Sequence, residues 1–203
     1  MSSSHENKAE RPHAVAIDDR WGFVKVGRRI AGFRKSRRGV AATEFALLAP
    51  FMIALWLGSS ELTQGVAAER KVSLAASTLA DLVTQQTNVT PTEMNEIMNA
   101  TVAIMTPFST ANLAIEIAGV EIDEDGATNV VWSDARGAGS SAPTVGEGYD
   151  VPAELIRPES FLVVAQLRYA YTPPTMHTIT GSLELSDSFF LRPRQSDTIT
   201  NFP

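Results

Sequence analysis

Glu44 is the residue whose type and position most demand a chemical explanation. It stands inside an apolar run, GVAATEFALLAPFMIALWLGSS, in which only Thr43, Glu44 and Pro50 are out of character between Val40 and Leu57. A carboxylate at the centre of a bilayer costs ~2.5–3.5 kcal/mol even on lenient scales. Two explanations are open. Glu44 sits about one helical turn from Arg38, so it would be tolerated at the interface by water and headgroups. Alternatively it meets a cation at its own depth. A cut after Gly39 would create that cation as a new α-amine on Val40. Glu44 of one subunit would then pair with the amine of a neighbour, making the assembled state cheaper than the isolated one.

The remaining reactive residue types are sparse. The chain has three histidines, His5, His13 and His177, none at metal-ligand spacing from another. It has no cysteine, which excludes disulfides, thiolate metal sites and cysteine nucleophiles. No G-x-S-x-G, phosphate-binding glycine loop or H-E-x-x-H occurs. Neither an enzymatic activity nor a cofactor is expected. Asp123-Glu124-Asp125-Gly126 resembles a fragment of a calcium loop but lacks the ligand pattern and distal glutamate of an EF-hand, and a hairpin turn accounts for it better. Asn88-Val89-Thr90 and Asn99-Ala100-Thr101 match the glycosylation acceptor pattern, which arises often by chance.

Charge is distributed unevenly. Residues 1–39 carry ten Lys/Arg and four Asp/Glu, a net +6; residues 40–203 carry seven and nineteen, a net −12. The acidic part repels a phosphate backbone, so no nucleic-acid partner is expected. In WGFVKVGRRIAGFRKSRR, residues 21–38, apolar and basic residues alternate. Such a segment suits the surface of an anionic membrane, although a plain basic tail would read the same way. The 40–58 run is just long enough to span a bilayer, for which ~20 mostly apolar residues are needed, and a buried core helix is the alternative. Its flanks favour the membrane. Six Lys/Arg precede it, whereas Glu61 follows and no Lys/Arg occurs until Arg70. The positive-inside rule therefore places the N-terminus in the cytoplasm and the rest across the membrane. A cleaved secretory signal is disfavoured, because no A-x-A-like site closes the apolar run.

These features need elements to carry them, and the expected fold is α+β. Leu62, Val66, Val72, Ala75, Leu79, Leu82 and Val83 continue a helical period. One helix from Val40 to Gln86 would be ~70 Å long at 1.5 Å per residue, bent where Pro50 removes a donor. Thr90, Pro91 and Glu93 predict a capping box and the start of a second helix, whose apolar stripe is Met94, Ile97, Met98, Val102 and Met105. Pro107 ends it. Alternation then signals strands: Leu113, Ile115 and Ile117, a β-bulge at Gly119 to bring Val120 and Ile122 back into register, a turn at 123–126 and a return over 127–132. Residues 134–150 read as a glycine- and serine-rich loop. Phe161 through Tyr171 and Leu183 through Leu191 supply the last strands of a small antiparallel sheet. The expected organisation is a basic leader at 1–39, a membrane helix at 40–58, a helical soluble region at 59–106 and a β-rich domain at 107–203.

The stretch Arg37-Arg38-Gly39-Val40-Ala41-Ala42-Thr43-Glu44-Phe45-Ala46 resembles a type IV prepilin processing site. More closely, RRGVAATEFALLAPFMIALWLGSSEL is similar to the TadE/TadG-like pseudopilins of tight-adherence (Tad/Flp) pilus systems, with weaker likeness at Val131-Trp132-Ser133-Asp134-Ala135 and Phe190-Leu191-Arg192-Pro193-Arg194. The resemblance implies a pilin-like fold and cleavage between Gly39 and Val40 by a prepilin peptidase. It also implies a role for Glu44 in assembly, and partners among the membrane, the Tad assembly platform and other pilins or pseudopilins. An uncleaved single-pass envelope protein with an exported binding domain is the alternative.

Overall fold

The computed structural model describes residues 38–175 and 181–201, and the chain divides into two units, Met1–Ile53 and Ala54–Pro203. The basic segment at 21–37 and all three histidines lie outside the described residues. The architecture is α+β: a long helix α1 (Arg38–Thr84), a second helix α2 (Pro91–Ile104) and a four-stranded antiparallel sheet. The sheet comprises β2 (Leu113–Ile122), β3 (Thr128–Gly137), β4 (Ser160–Tyr171) and β5 (Leu183–Leu191), in the order β3-β2-β4-β5. Helix α1 starts two residues before, and ends two residues before, the span read from the sequence, and it has no break at position 58.

In the second unit α1 lays a stripe of Ala68, Val72, Ala75, Ala76, Leu79, Ala80 and Val83 against the sheet, every one of them buried. The many alanines keep the helix backbone close to the strands, which gives the dense packing a core requires. Leu62 and Val66 do not belong to this stripe: they are 70% and 40% exposed, on another side of the helix. Helix α2 begins as its sequence dictates. The Thr90 hydroxyl accepts from the Glu93 N–H and the Glu93 carboxylate accepts from the Thr90 N–H at 2.9 Å. Lys71 of α1 donates to the carbonyl of Ile104 at 2.8 Å, placing a cation at the C-terminal end of α2 where the helix dipole favours one. Met94, Met98 and Met105 fill the core between the helices and the sheet.

The sheet is buried on both faces, which alternation within single strands does not reveal. Leu113, Ile115, Ile117, Phe161, Val163, Ala165, Leu167 and Tyr169 face the helices. Ala118, Val120, Ile122, Val130, Leu162 and Val164 form a second core on the opposite face, covered by Tyr149, Val151, Leu155 and Ile156. This cover is a lid over a hydrophobic surface, formed by Tyr149 at the end of the glycine- and serine-rich stretch 134–150 and by residues just past it, with a 3-10 turn at Ala153–Leu155. This second core also corrects the expected bulge. Strand β2 pairs with β4 in unbroken register, so Val120 and Ile122 stay on the second face. The irregularity lies in the pairing with β3, where Gly119 faces Trp132 and Val120 faces Val130, leaving Val131 as the extra residue. The extra residue turns Trp132 onto the first face while Val130 remains on the second. Gly119 serves a different purpose. A Cβ there would collide with the Trp132 indole and the Phe161 ring.

Strand β3 runs on to Gly137, beyond the 132 read from the sequence. Gly137 ends it with φ +101°, and a side chain there would strike the Leu113 carbonyl. The turn at 123–126 is a hairpin turn, with the Asp123 carboxylate accepting from the Asp125 and Ala127 N–H groups at 3.0 and 2.7 Å. One pairing escaped the sequence altogether. A two-residue strand β1 (Asn88–Val89) pairs in parallel with β6 (Thr200–Asn201). Around it the C-terminal segment closes over α1: Arg194 N–H donates to the Thr84 carbonyl at 3.0 Å, and its guanidinium pairs with Asp81 at 2.6 Å.

Candidate functional site

The residues singled out by the sequence lie on the first four turns of α1. Gly39, Val40, Glu44 and Pro50 are all helical and exposed. The Gly39–Val40 peptide bond falls in the first turn, where backbone N–H groups have no intrahelical acceptor and opening costs least. Three residues on, the Thr43 hydroxyl donates back to the Val40 carbonyl at 2.8 Å and to the Gly39 carbonyl at 3.2 Å. That arrangement satisfies a polar group which would be costly in hydrocarbon.

Glu44 lies one turn beyond Val40, ~6 Å along the axis at 1.5 Å per residue. It forms no ion pair and no side-chain hydrogen bond among the described residues. Its surroundings are apolar and open: Phe45, Leu47, Leu48, Phe51, Met52 and Ile53 are between 57% and 80% exposed. Pro50 lies within the helix and leaves the Ala46 carbonyl without its i+4 donor. Helix α1 is long and apolar enough to cross a membrane, with a mean hydropathy of 1.9 in its most apolar 18-residue window and no residue of that window buried. This is the single candidate span among the described residues.

Farther along α1 a second acidic residue has a role the sequence did not signal. Glu61 is buried and accepts from the Thr175 N–H at 2.7 Å and from the Thr175 hydroxyl. It thus ties the segment after β4 to the helix. Burial, with a smaller contribution from the Glu61 charge, raises the pKa of the Tyr171 phenol. The signal that could have found Glu61 was its place on the stripe, seven residues before Ala68. Deeper in the domain, Ser73 of α1 donates to the Asp187 carboxylate of β5.

The other candidate features resolve into structural roles. Thr101 is buried and donates to the Ile97 carbonyl, and Asn99 accepts from Arg136, so the second acceptor pattern is built into packing. Thr90 of the first pattern is occupied as a helix cap. Among the described residues no group of three or more His, Asp or Glu is placed to hold a metal ion. Comparison with protein-family models, with curated proteins and with solved structures finds no match.

Proposed function

We propose that the chain is a minor pilin or pseudopilin of the Tad type, a non-enzymatic protein that works by helix packing and by displaying its α+β domain. In this reading a prepilin peptidase cuts after Gly39, and the N-terminus is cytoplasmic. The domain beyond the membrane helix lies on the periplasmic or extracellular side. The partners are the Tad assembly platform and other pilins. The observation that carries the reading is Glu44, an unpaired carboxylate on an exposed apolar helix. It follows a glycine by five residues, and basic residues precede that glycine. An isolated carboxylate at that depth is unfavourable, and a neighbour's freed Val40 amine would compensate it.

Intact mass of the protein purified from membranes tests the first step. A mature chain beginning at Val40 supports processing, and a chain that keeps Met1 in cells with an active peptidase overturns it in favour of the uncleaved anchor. For the second step, Glu44→Gln is expected to insert and fold normally while abolishing co-purification with partner pilins. Undiminished assembly by that variant would remove the role assigned to the carboxylate.

A further inference from the structure

The second face of the sheet is covered over β2, where Ala114 and Glu116 are buried, and open over β4 and β5 beyond its apolar end. Beyond it, register places Glu116, Gln166 and Ser188 side by side across β2, β4 and β5, followed by Ala114, Arg168 and Ser186. Between this row and the lid lies an open cavity of about 500 Å³, bordered by Tyr149, Asp150, Gln166, Ser188 and Phe190. A second cavity of about 330 Å³ continues on the same face, bordered by Gly139, Arg168 and Glu184. Both volumes fall in the range typical of small-molecule sites, ~300–1,000 Å³.

The chemistry of the lining selects among ligands. The Gln166 amide, the Ser188 hydroxyl and the Asp150 carboxylate form no hydrogen bond or ion pair with another described group through their side chains. They offer a planar donor–acceptor, a hydroxyl and a planar acceptor. Tyr149 and Phe190 are half-buried, each leaving part of a ring toward the cavity. The one cation of the lining is already paired, Arg168 with Glu116 at 2.5 Å, and Glu116 also accepts from the Ser141 N–H at 2.8 Å, while the Asp150 and Glu184 carboxylates remain as acceptors. The pair leaves no spare cation for an anionic ligand, and the polar row would be stranded by an apolar one. Directional polar groups beside aromatic rings suit a ligand with hydroxyls on its rim and C–H groups on its faces.

We infer that this groove binds a neutral oligosaccharide, with one sugar ring between Tyr149 and Phe190, hydrogen-bonded to Gln166, Ser188 and Asp150, and the next extending past Arg168. The inference stands whether or not the chain is cut at Gly39.

The test uses the full chain in a detergent without a sugar headgroup, titrated with maltotriose, cellotriose and chitotriose. Saturation-transfer NMR reads binding. At least one trisaccharide is expected to give a saturable signal. Gln166→Ala is expected to weaken it tenfold or more, and Ser188→Ala severalfold, with the thermal midpoint unchanged because both side chains are free of internal partners. Absence of a saturable signal from all three sugars overturns the assignment. So does binding that survives both substitutions, or a preference for a sulfated trisaccharide over its neutral parent.

Discussion

The two halves of α1 use the same helical geometry for opposite ends. From Phe45 to Trp56 large apolar side chains stand exposed, unburied by any other described residue. From Ala68 to Val83 the buried residues are mostly small, and each is fixed against the sheet or α2. The first half is apolar without touching other described elements, as a candidate membrane span would be; the second is apolar because of what it touches. Hydrophobicity alone does not distinguish the two, but side-chain size and angular distribution do. A span facing lipid needs bulk all round, whereas a helix packed on a sheet needs one narrow, close-fitting stripe.

Substitutions can break this contrast. Leu79→Ala should cost the domain ~2–5 kcal/mol, since Leu79 is fully buried. Leu47→Ala, at 80% exposure, should leave unfolding within ~0.5 kcal/mol of the parent. Urea titration of the two variants measures the difference, and equal losses would mean that the halves are not distinct. Glycines give a finer test. Gly119→Ala should destabilise by ~1–3 kcal/mol through overpacking against Trp132 and Phe161. Gly58→Ala meets nothing within 4 Å and should be neutral or gain up to ~1 kcal/mol of helix propensity. Thermal unfolding of the pair should move in opposite directions.

The capping box gives a smaller effect. Thr90→Ala should cost ~1 kcal/mol. Hydrogen bonds from the Thr90 backbone, then from its side chain, lower the Glu93 pKa below 4.5. Its contribution is therefore present above the unfolded value and lost as pH falls through the folded one. Amide protection factors at the start of α2, corrected for the intrinsic pH dependence of exchange, should fall on acidification through that window, and Glu93→Ala should remove the fall. At the alkaline end, Tyr149, Tyr169 and Tyr171 all have pKa values raised above 10.0, chiefly by burial. The stability they contribute is fully present below pH 10.0 and lost as pH rises through the folded values. Phenolate absorbance should accordingly appear later in the folded chain than in urea.

What could be read in advance follows from how local each signal is. The capping box at Thr90 and the turn at Asp123 depend on residues three or four apart, and both are present as read. The strand order β3-β2-β4-β5 was not contained in any single segment. The second core was misread because its wall comes from two distant places: Val120 and Ile122 on β2, and Val151, Leu155 and Ile156 past the 134–150 loop, where no element is read from the sequence. A parity change at Gly119 looked like a defect to be repaired within one strand. It marked a strand that serves a different core on each face. For the candidate site the reverse holds. The helical placement of Gly39, Val40, Glu44 and Pro50 was legible because it depends only on the local apolar run around them. Glu61 was not, since its partner Thr175 lies 114 residues away.

The pairing of Asn88–Val89 with Thr200–Asn201 bears on the order of events during synthesis. The Trp132 indole N–H reaches its acceptor, the Ile199 carbonyl at 2.7 Å, only once residue 199 has been made. Ile199 itself plugs the first core. Synthesis that has delivered everything up to β5 leaves a domain with an open base, and contacts so distant in sequence form late. Anything docking on the growing chain would meet the helix first and the closed domain only after residues 199–201 emerge.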